Sequence, residues 1–132
     1  MNNSVNVQSP SFGMAYKVGN LKKYVEFLNS QEPEVINKLN AEMKEAAEKL
    51  KNTKLAHATL YVNEDGKTLC HSINWQEPVF NERGEVGSCF TGDCLGESIK
   101  DAVEATLEKE KAMTAAYEYA NRQAELLKEL AG

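Results

Sequence analysis

Residues 55–75, LAHATLYVNEDGKTLCHSINW, contain the strongest fold signal in the chain. Two β-rich runs, 55–62 and 68–75, flank the tetrapeptide Asn-Glu-Asp-Gly at 63–66. An Asp-Gly pair between such runs indicates a hairpin, because glycine accepts the positive φ that a tight turn requires. The stretch therefore predicts an antiparallel pair of strands in the middle of the chain.

Two registers of this hairpin are open, and they place its histidines differently. If a two-residue loop closes it, Val62 pairs with Leu69, and His71 points into the core. If a type I turn with a glycine bulge closes it, Asn63 pairs with Lys67. We favour the bulged register, because it separates large side chains from small ones. One face then carries His57, Thr59, Tyr61, His71, Ile73 and Trp75.

Toward the N-terminus, the chain predicts a strand and two helices. Apolar residues alternate with small or polar ones over 11–18, which is the period of a strand with one buried face. Asn20 can cap a short helix that ends near Ser30. Pro33 suits the opening turn of a second helix, whose 3,4-spaced apolar residues extend to about Asn52.

A second turn is expected on the C-terminal side of the hairpin. Residues 80–84 repeat the Asn-Glu-x-Gly pattern of 63–66, which is typical of turns. This turn would join a short strand near 78–81 to another at 85–90. The middle of the chain therefore predicts an antiparallel meander.

From about Gly96 the apolar spacing becomes that of a long helix. Ser98 followed by Asp101 indicates an N-terminal cap, and Thr106 and Glu110 interrupt an otherwise apolar seam that reaches Leu130. About 33 residues at 1.5 Å each give roughly 50 Å, which exceeds the roughly 30 Å that a small domain covers. We therefore expect apolar surface on this helix that its own domain cannot bury. The apolar members of the seam are Ile99, Val103, Met113, Tyr117, Ala120, Ala124 and Leu127.

These elements predict an α+β fold. It comprises an antiparallel β-meander with an N-terminal strand, two short helices and a long C-terminal helix packed on one sheet face. Residues 1–10 are polar and predict a flexible tail, and residues 11–132 predict a single domain.

Composition excludes several classes of function. Fifteen basic and twenty acidic residues leave a net charge of −5, and the basic residues alternate with acidic ones, so we expect no nucleic-acid binding. There is no apolar run long enough for a membrane span and no secretory signal, so we expect a cytoplasmic protein without membrane contact. No phosphate-loop, zincin or calcium-loop motif occurs, and no cofactor is expected.

The cysteines and histidines are the residues best suited to chemistry. Cys70, His71, Cys89 and Cys94 are soft metal ligands, but adjacent residues of a strand point to opposite faces, so we expect no metal site. Cys94 is expected at the start of the long helix, where free N–H groups favour a thiolate. Three thiols with no export signal are expected to be reduced.

The sequence favours a non-enzymatic interaction module. We expect it to bind a protein partner, because no catalytic constellation is present. We expect a homodimer through the C-terminal helix, because this helix has more apolar seam than one small domain can cover. The alternative is a small-ligand or nucleotide-signal binding protein that uses a strand-to-helix loop at 87–98 and an aromatic sheet face. A thiol-dependent or zinc-containing enzyme is a third, minor hypothesis. The candidate ligand-binding residues are His57, Tyr61, His71, Trp75 and Cys94.

Overall fold

The computed structural model describes residues 15–80, 85–95 and 98–131 and confirms the α+β class. The predicted tail at 1–10 and the tip of the predicted second turn, 81–84, lie outside the described residues. Among the described residues, no helix is both long enough and apolar enough to cross a membrane. The elements are β1 (Tyr16–Val18), α1 (Leu21–Asn29), α2 (Pro33–Lys49), β2 (Ala56–Val62), β3 (Leu69–Phe80), β4 (Val86–Leu95) and α3 (Ile99–Ala131).

The four strands form one mixed sheet in the order β1-β2-β3-β4. β2, β3 and β4 are antiparallel neighbours, as a meander requires. β1 instead lies parallel to β2, with Tyr16 beside Ala58 and Val18 beside Leu60. Two helices connect these parallel strands, because a parallel neighbour can be reached only by a crossover. The sheet is therefore not a meander throughout.

β3 replaces the two shorter strands expected at 68–75 and 78–81. It continues without a break through Pro78, which pairs with Ser88. The Gln76 N–H donates to the Leu55 carbonyl on the β2 side of the strand. The nitrogen of Pro78, two residues on, faces the same side, where β2 has already ended, so no ladder hydrogen bond is lost. The proline therefore does not end the strand.

The bulged register of the β2–β3 hairpin is wrong. Val62 pairs with Leu69, as in the other register, although the six residues 63–68 that join β2 to β3 do not form a two-residue loop. The Asn63 N–H donates to the Thr68 carbonyl at 2.8 Å and closes the loop. Inside it, the Asp65 carboxylate accepts the N–H groups of Lys67 and Thr68 at 2.8 and 3.0 Å. These bonds satisfy the loop backbone without a bulge, and they hold the pKa of Asp65 below its usual range.

The predicted helix caps are confirmed. Asn20 accepts a hydrogen bond from the Lys23 N–H at 3.3 Å, and the Ser98 hydroxyl accepts one from the Asp101 N–H at 3.2 Å. Pro33 is the first residue of α2, where a missing N–H leaves no bond unmade. α2 ends at Lys49, three residues before the expected end.

All three helices contribute to a core on one face of the sheet, which we call the covered face. Its strand residues, among them Ala58, Leu60 and Ile73, alternate along the strands with residues on the opposite face. Helix side chains that complete this core include Tyr24, Phe27, Leu28, Leu39, Met43, Ala46, Leu50, Ala102 and Val103.

α3 is one continuous helix whose predicted seam faces its own sheet, chiefly β3, as far as Ala124, whereas the last seam residue, Leu127, is exposed. Thr106, which interrupts the seam, is buried and donates its hydroxyl to the Ala102 carbonyl at 2.7 Å. Glu110, the other interruption, accepts the N–H groups of Leu55 and Ala56 at 2.7 and 3.0 Å. The polar residues of the seam therefore serve the fold.

The length of α3 exceeds that of the strand beneath it by a small margin. The twelve residues of β3 span about 40 Å, whereas the thirty-three residues of α3 span about 50 Å. Ala124 is the last buried residue of the helix, and all of residues 125–131 are exposed. The unburied surface expected along this helix is therefore confined to its outer side and its C-terminal end.

Candidate functional site

The surface opposite the helices, which we call the open face, is the candidate site. Strand register places Lys17, Thr59, Ser72 and Cys94 in one row across the sheet. The described helices bury their apolar sides against the other face. The open face includes the side chains of Lys17, His57, Thr59, Tyr61, Cys70, Ser72, Asn74, Gln76, Phe90 and Cys94.

Aromatic side chains stand at two ends of the open face. His57 and Phe90 stack with their ring centroids 5.5 Å apart and their planes inclined by 27°. Phe90 leaves 58% of its surface exposed, and Tyr61 leaves 39%. The Tyr61 ring lies so close to the Gly19 backbone that a Cβ at Gly19 would overlap it. Glycine is therefore required beneath this ring.

Between these aromatic groups the open face is polar and almost uncharged. Ser72 and Asn74 hydrogen-bond to each other at 3.4 Å, and the Asn74 amide lies over Gly92. Lys17 is the only charged side chain among the described open-face residues of the four strands. The surface therefore offers aromatic rings, hydroxyls and amides, with one cation at the β1 side.

Two titratable groups of the open face, His57 and Cys70, favour their neutral forms. Burial, with a further contribution from the Lys17 ammonium, lowers the pKa of His57 below its ordinary value of 6.5. Burial raises the pKa of the Cys70 thiol, and the nearby Cys94 raises it further. Near neutral pH, His57 is therefore an uncharged imidazole and Cys70 a thiol.

His71 lies on the covered face and not beside His57. Its Nε2 is 2.9 Å from the Tyr16 hydroxyl, and both side chains are almost completely buried. Burial, together with the nearby Tyr24 and Glu42, raises the pKa of Tyr16 well above its ordinary value. The expected pairing of the two histidines on one face is wrong, because the hairpin adopts the unbulged register.

Trp75 also belongs to the covered face. Only 6% of its surface is exposed, and its indole N–H donates to the Glu77 carboxylate at 2.9 Å. The Lys109 ammonium of α3 lies 4.0 Å from its ring centroid, within cation–π range. Of the five candidate residues, His57, Tyr61 and Cys94 thus share the open face, whereas Trp75 packs in the interior with His71.

Cys94 does not lie at a helix N-terminus. It is part of β4, and α3 begins five residues later at Ile99. The expected strand-to-helix loop at 87–98 is likewise replaced over most of its length by β4. The three cysteines form no disulfide, and the described residues contain no group of three or more His, Cys, Asp or Glu side chains able to hold a metal ion.

Phe90, Lys17 and Asn74 join the open face although sequence reasoning did not select them. Phe90 and Asn74 follow from counting alternate residues once β3 and β4 are known to be continuous. Lys17 could not be found in this way, because its place beside Thr59 depends on the parallel pairing of β1. That pairing joins segments about forty residues apart in sequence.

A concave feature separate from the open face lies between α2 and α3. This cavity of about 480 Å³ has Ala46 and Val103 among its lining residues. Three glutamates and two lysines complete much of the lining, so its charges are mixed. It is formed by helices and shares no residue with the open face.

Comparisons of the chain with protein-family models, with curated proteins and with solved structures gave no match. The functional argument therefore rests on the chain's own residues.

Proposed function

We propose that this chain is a non-enzymatic interaction module that binds a protein partner on the open face of its sheet. The observation that carries the proposal is the exposure of Tyr61 and Phe90 on a nearly uncharged sheet face. Aromatic enrichment and loss of charge mark the centres of protein interfaces. Exposed aromatic rings with few rotatable bonds are also the side chains that most often dominate binding energy.

The shape of the open face favours a protein over a small molecule. Small-ligand sites are concave and enclose most of the ligand surface. Phe90 instead projects from the sheet, with more than half of its surface exposed. The cavity between α2 and α3, with its mixed charges, is the better location for the alternative function of small-ligand binding.

The environment of the histidines supports a role without catalysis. A cysteine nucleophile needs a neighbouring base, and His71 is buried against Tyr16 on the opposite side of the sheet from Cys94. His57 stacks on Phe90, and burial raises the pKa of the Cys70 thiol away from the reactive thiolate form.

Site-specific photo-crosslinking in the source cells tests the proposal. The photoreactive residue p-benzoylphenylalanine would be placed at position 61, 90 or 119. Tyr119 is the matched control, because it is an aromatic residue with 57% exposure on α3. We expect positions 61 and 90 to capture the same protein and position 119 to capture none of it. Equal capture at all three positions, or none at 61 and 90, would contradict the proposal.

Affinity measurements with the purified partner then decide whether the captured contact is specific. Phe90→Ser removes the most exposed open-face ring, and we expect it to weaken binding about tenfold or more, as for a central interface aromatic. Tyr119→Ser should leave the affinity unchanged. A thermal-shift screen with metabolites addresses the alternative, because a bound small molecule stabilises the native state by mass action.

Self-association through α3 is a second candidate, favoured by exposed leucines at the end of the helix. Leu126, Leu127 and Leu130 leave 49%, 50% and 84% of their surfaces exposed. A partner helix that buried them would gain about 25 cal/mol for each Å² of apolar surface removed from water. Light scattering at high concentration tests this candidate, and a monomeric mass would eliminate it.

A further inference from the structure

β4 forms one edge of the described sheet, and its pairing with β3 is uninterrupted. Ten consecutive residue pairs join it to β3, from Phe80 with Val86 to His71 with Leu95, and no bulge interrupts them. In the described sheet its other side has no strand neighbour, because β4 stands last in the strand order. A full-length strand with an available side is a template for pairing.

The register identifies the backbone groups that face outward. The Gln76 N–H points toward β2, so even-numbered residues of β3 bond to β2 and odd-numbered ones to β4. The odd-numbered residues of β4 therefore bond to β3. The N–H and carbonyl groups of Val86, Ser88, Phe90 and Gly92 point to the outer edge of β4.

Over residues 86–92, the outer edge of β4 lacks the features that usually protect a sheet edge, and Asp93, the one charged residue of the strand, lies beyond this segment. Residues 86–92, VGSCFTG, contain no charged side chain and no proline. Protected edges in monomeric proteins carry lysines, prolines or bulges, or they are very short. β1, at the other edge, has only three described residues. Among the described residues the two edges of the sheet are therefore unlike, and β4 is the longer of the two edge strands.

We propose that the outer edge of β4 pairs antiparallel with β4 of a second copy of this chain. Two four-stranded sheets then form one continuous eight-stranded sheet about a two-fold axis. The uncharged segment 86–92 meets its own copy without like-charge repulsion. The exposed Phe90 ring, at the middle of β4, then gains a neighbour from the partner strand.

This inference goes beyond the proposed function and is independent of the α3 leucines. A two-fold axis perpendicular to the sheet keeps both open faces on the same side. The paired molecules would present one open face of double width, with the two His57–Phe90 stacks near its centre. A protein partner would then meet two equivalent copies of the same surface.

A proline substitution at one position can test the outward-facing hydrogen-bonding groups of β4 without disturbing those that bond to β3. Ser88→Pro removes an outward-facing N–H and leaves the bonds to β3 intact, because an edge strand tolerates proline on its free side. Ser88→Ala is the matched control that keeps the N–H. The mass of the full chain would be measured by light scattering from micromolar to millimolar concentration. We expect a dimer for the wild type and for Ser88→Ala, and a dissociation constant raised about tenfold or more for Ser88→Pro.

Three outcomes of the mass measurement would overturn the inference. They are a monomeric wild type over the whole range, equal dimerisation of the folded Ser88→Pro variant, and loss of the dimer only on substituting Leu126→Glu in α3. Circular dichroism confirms whether Ser88→Pro is folded.

Amide hydrogen exchange of the wild type gives a second readout that does not depend on a variant. The Ser88 and Phe90 amides should be protected at concentrations where the dimer forms and should exchange much faster after dilution. The Cys89 and Thr91 amides, which bond to β3, should be protected at both concentrations. Even-numbered amides that exchange fast at every concentration, or that stay protected in the monomer, would overturn the inference.

Discussion

On the covered face of the sheet, Leu60 and Ile73 are almost entirely buried beneath helices, whereas on the open face Tyr61 and Phe90 leave 39% and 58% of their surfaces exposed. Leu60 and Tyr61 are neighbours in sequence and share the same strand. Only the alternation of side chains separates a core residue from a candidate binding residue. A one-residue change of register would exchange the two faces completely.

The two faces also treat polar groups differently. The covered face accepts the buried pair Tyr16 and His71, whose hydroxyl and ring nitrogen are 2.9 Å apart. A buried polar group is tolerated when it is hydrogen-bonded in this way. The open face is wet and nevertheless carries almost no charge among its described residues. A surface that only faces solvent has no need to lack charged side chains. The near absence of charge on the open face is therefore the reason that we propose a binding role for it.

Truncation of the adjacent residues Leu60 and Tyr61 should give the largest difference in stability between the two faces. Leu60→Ala removes a fully buried side chain and should cost about 2–5 kcal/mol of the free energy of unfolding. Tyr61→Ala should cost about 1 kcal/mol or less, because the ring is partly exposed. Urea denaturation of both variants checks this. Similar losses for the two variants would mean that the open face is buried in solution.

Substitution of Glu110 tests how strongly α3 is held to the start of β2. Its carboxylate accepts three N–H groups at the start of β2, from Lys54 at 3.1 Å, Leu55 at 2.7 Å and Ala56 at 3.0 Å. Glu110→Ala should therefore cost about 1.5–3 kcal/mol of unfolding free energy, the range for hydrogen bonds to charged groups.

Glu108→Ala is the control for this change, because Glu108 is an exposed glutamate of the same helix. We expect it to alter stability by no more than about 0.5 kcal/mol. Glu110→Gln, which keeps one acceptor oxygen, should retain part of the wild-type stability. If the Glu110→Ala and Glu108→Ala chains unfold at the same urea concentration, the anchoring role is wrong.

Titration of groups on the two faces should lower the free energy of unfolding at opposite ends of the pH scale. We expect these effects to be smaller than those of the substitutions above. The pKa of His57 on the open face lies below 6.5, so the unfolded chain binds more protons as the pH falls through that value, and stability decreases. Burial raises the pKa of Tyr24 on the covered side to about 12, so the folded chain retains a proton that the unfolded chain loses above pH 10. Stability therefore also decreases as the pH rises from 10 toward 12.

Urea midpoints measured from pH 5 to pH 11 check both limbs. His57→Gln should flatten the acid limb and leave the alkaline limb unchanged. Tyr24→Phe should reduce the alkaline limb without removing it, because the pKa of Tyr16 is also raised, and should leave the acid limb unchanged. An acid limb that is unaffected by His57→Gln would assign that limb to groups other than His57.

Local sequence patterns predicted the helices, their caps and the existence of the hairpin. Asn20, Pro33 and Ser98 act within one turn of chain, so their roles could be recognised without tertiary structure. The continuity of β3 through Pro78 could not be predicted locally, because the effect of a proline depends on whether a neighbouring strand extends beside it. The composition of the loop allowed two registers, and hydrogen bonds to the Asp65 side chain favour the one that formed.

The open face was predicted only in part for the same reason. His57 and Tyr61 lie on the best-predicted strand and alternate with apolar residues. Phe90 and Lys17 come from strands whose neighbours are determined by tertiary contacts, and Trp75 was placed on the wrong face by the register. A face shared by several strands cannot be assembled until their pairing is known.

The position of Trp75 has a spectroscopic consequence. It is the only tryptophan in the chain, and it lies in the core with the Lys109 ammonium near its ring. Its intrinsic fluorescence will follow loss of helix packing during unfolding and will barely sense a molecule that docks on the far side of the sheet. Unchanged emission on mixing would thus be no evidence against complex formation, and reporters for docking belong on Tyr61 or Phe90.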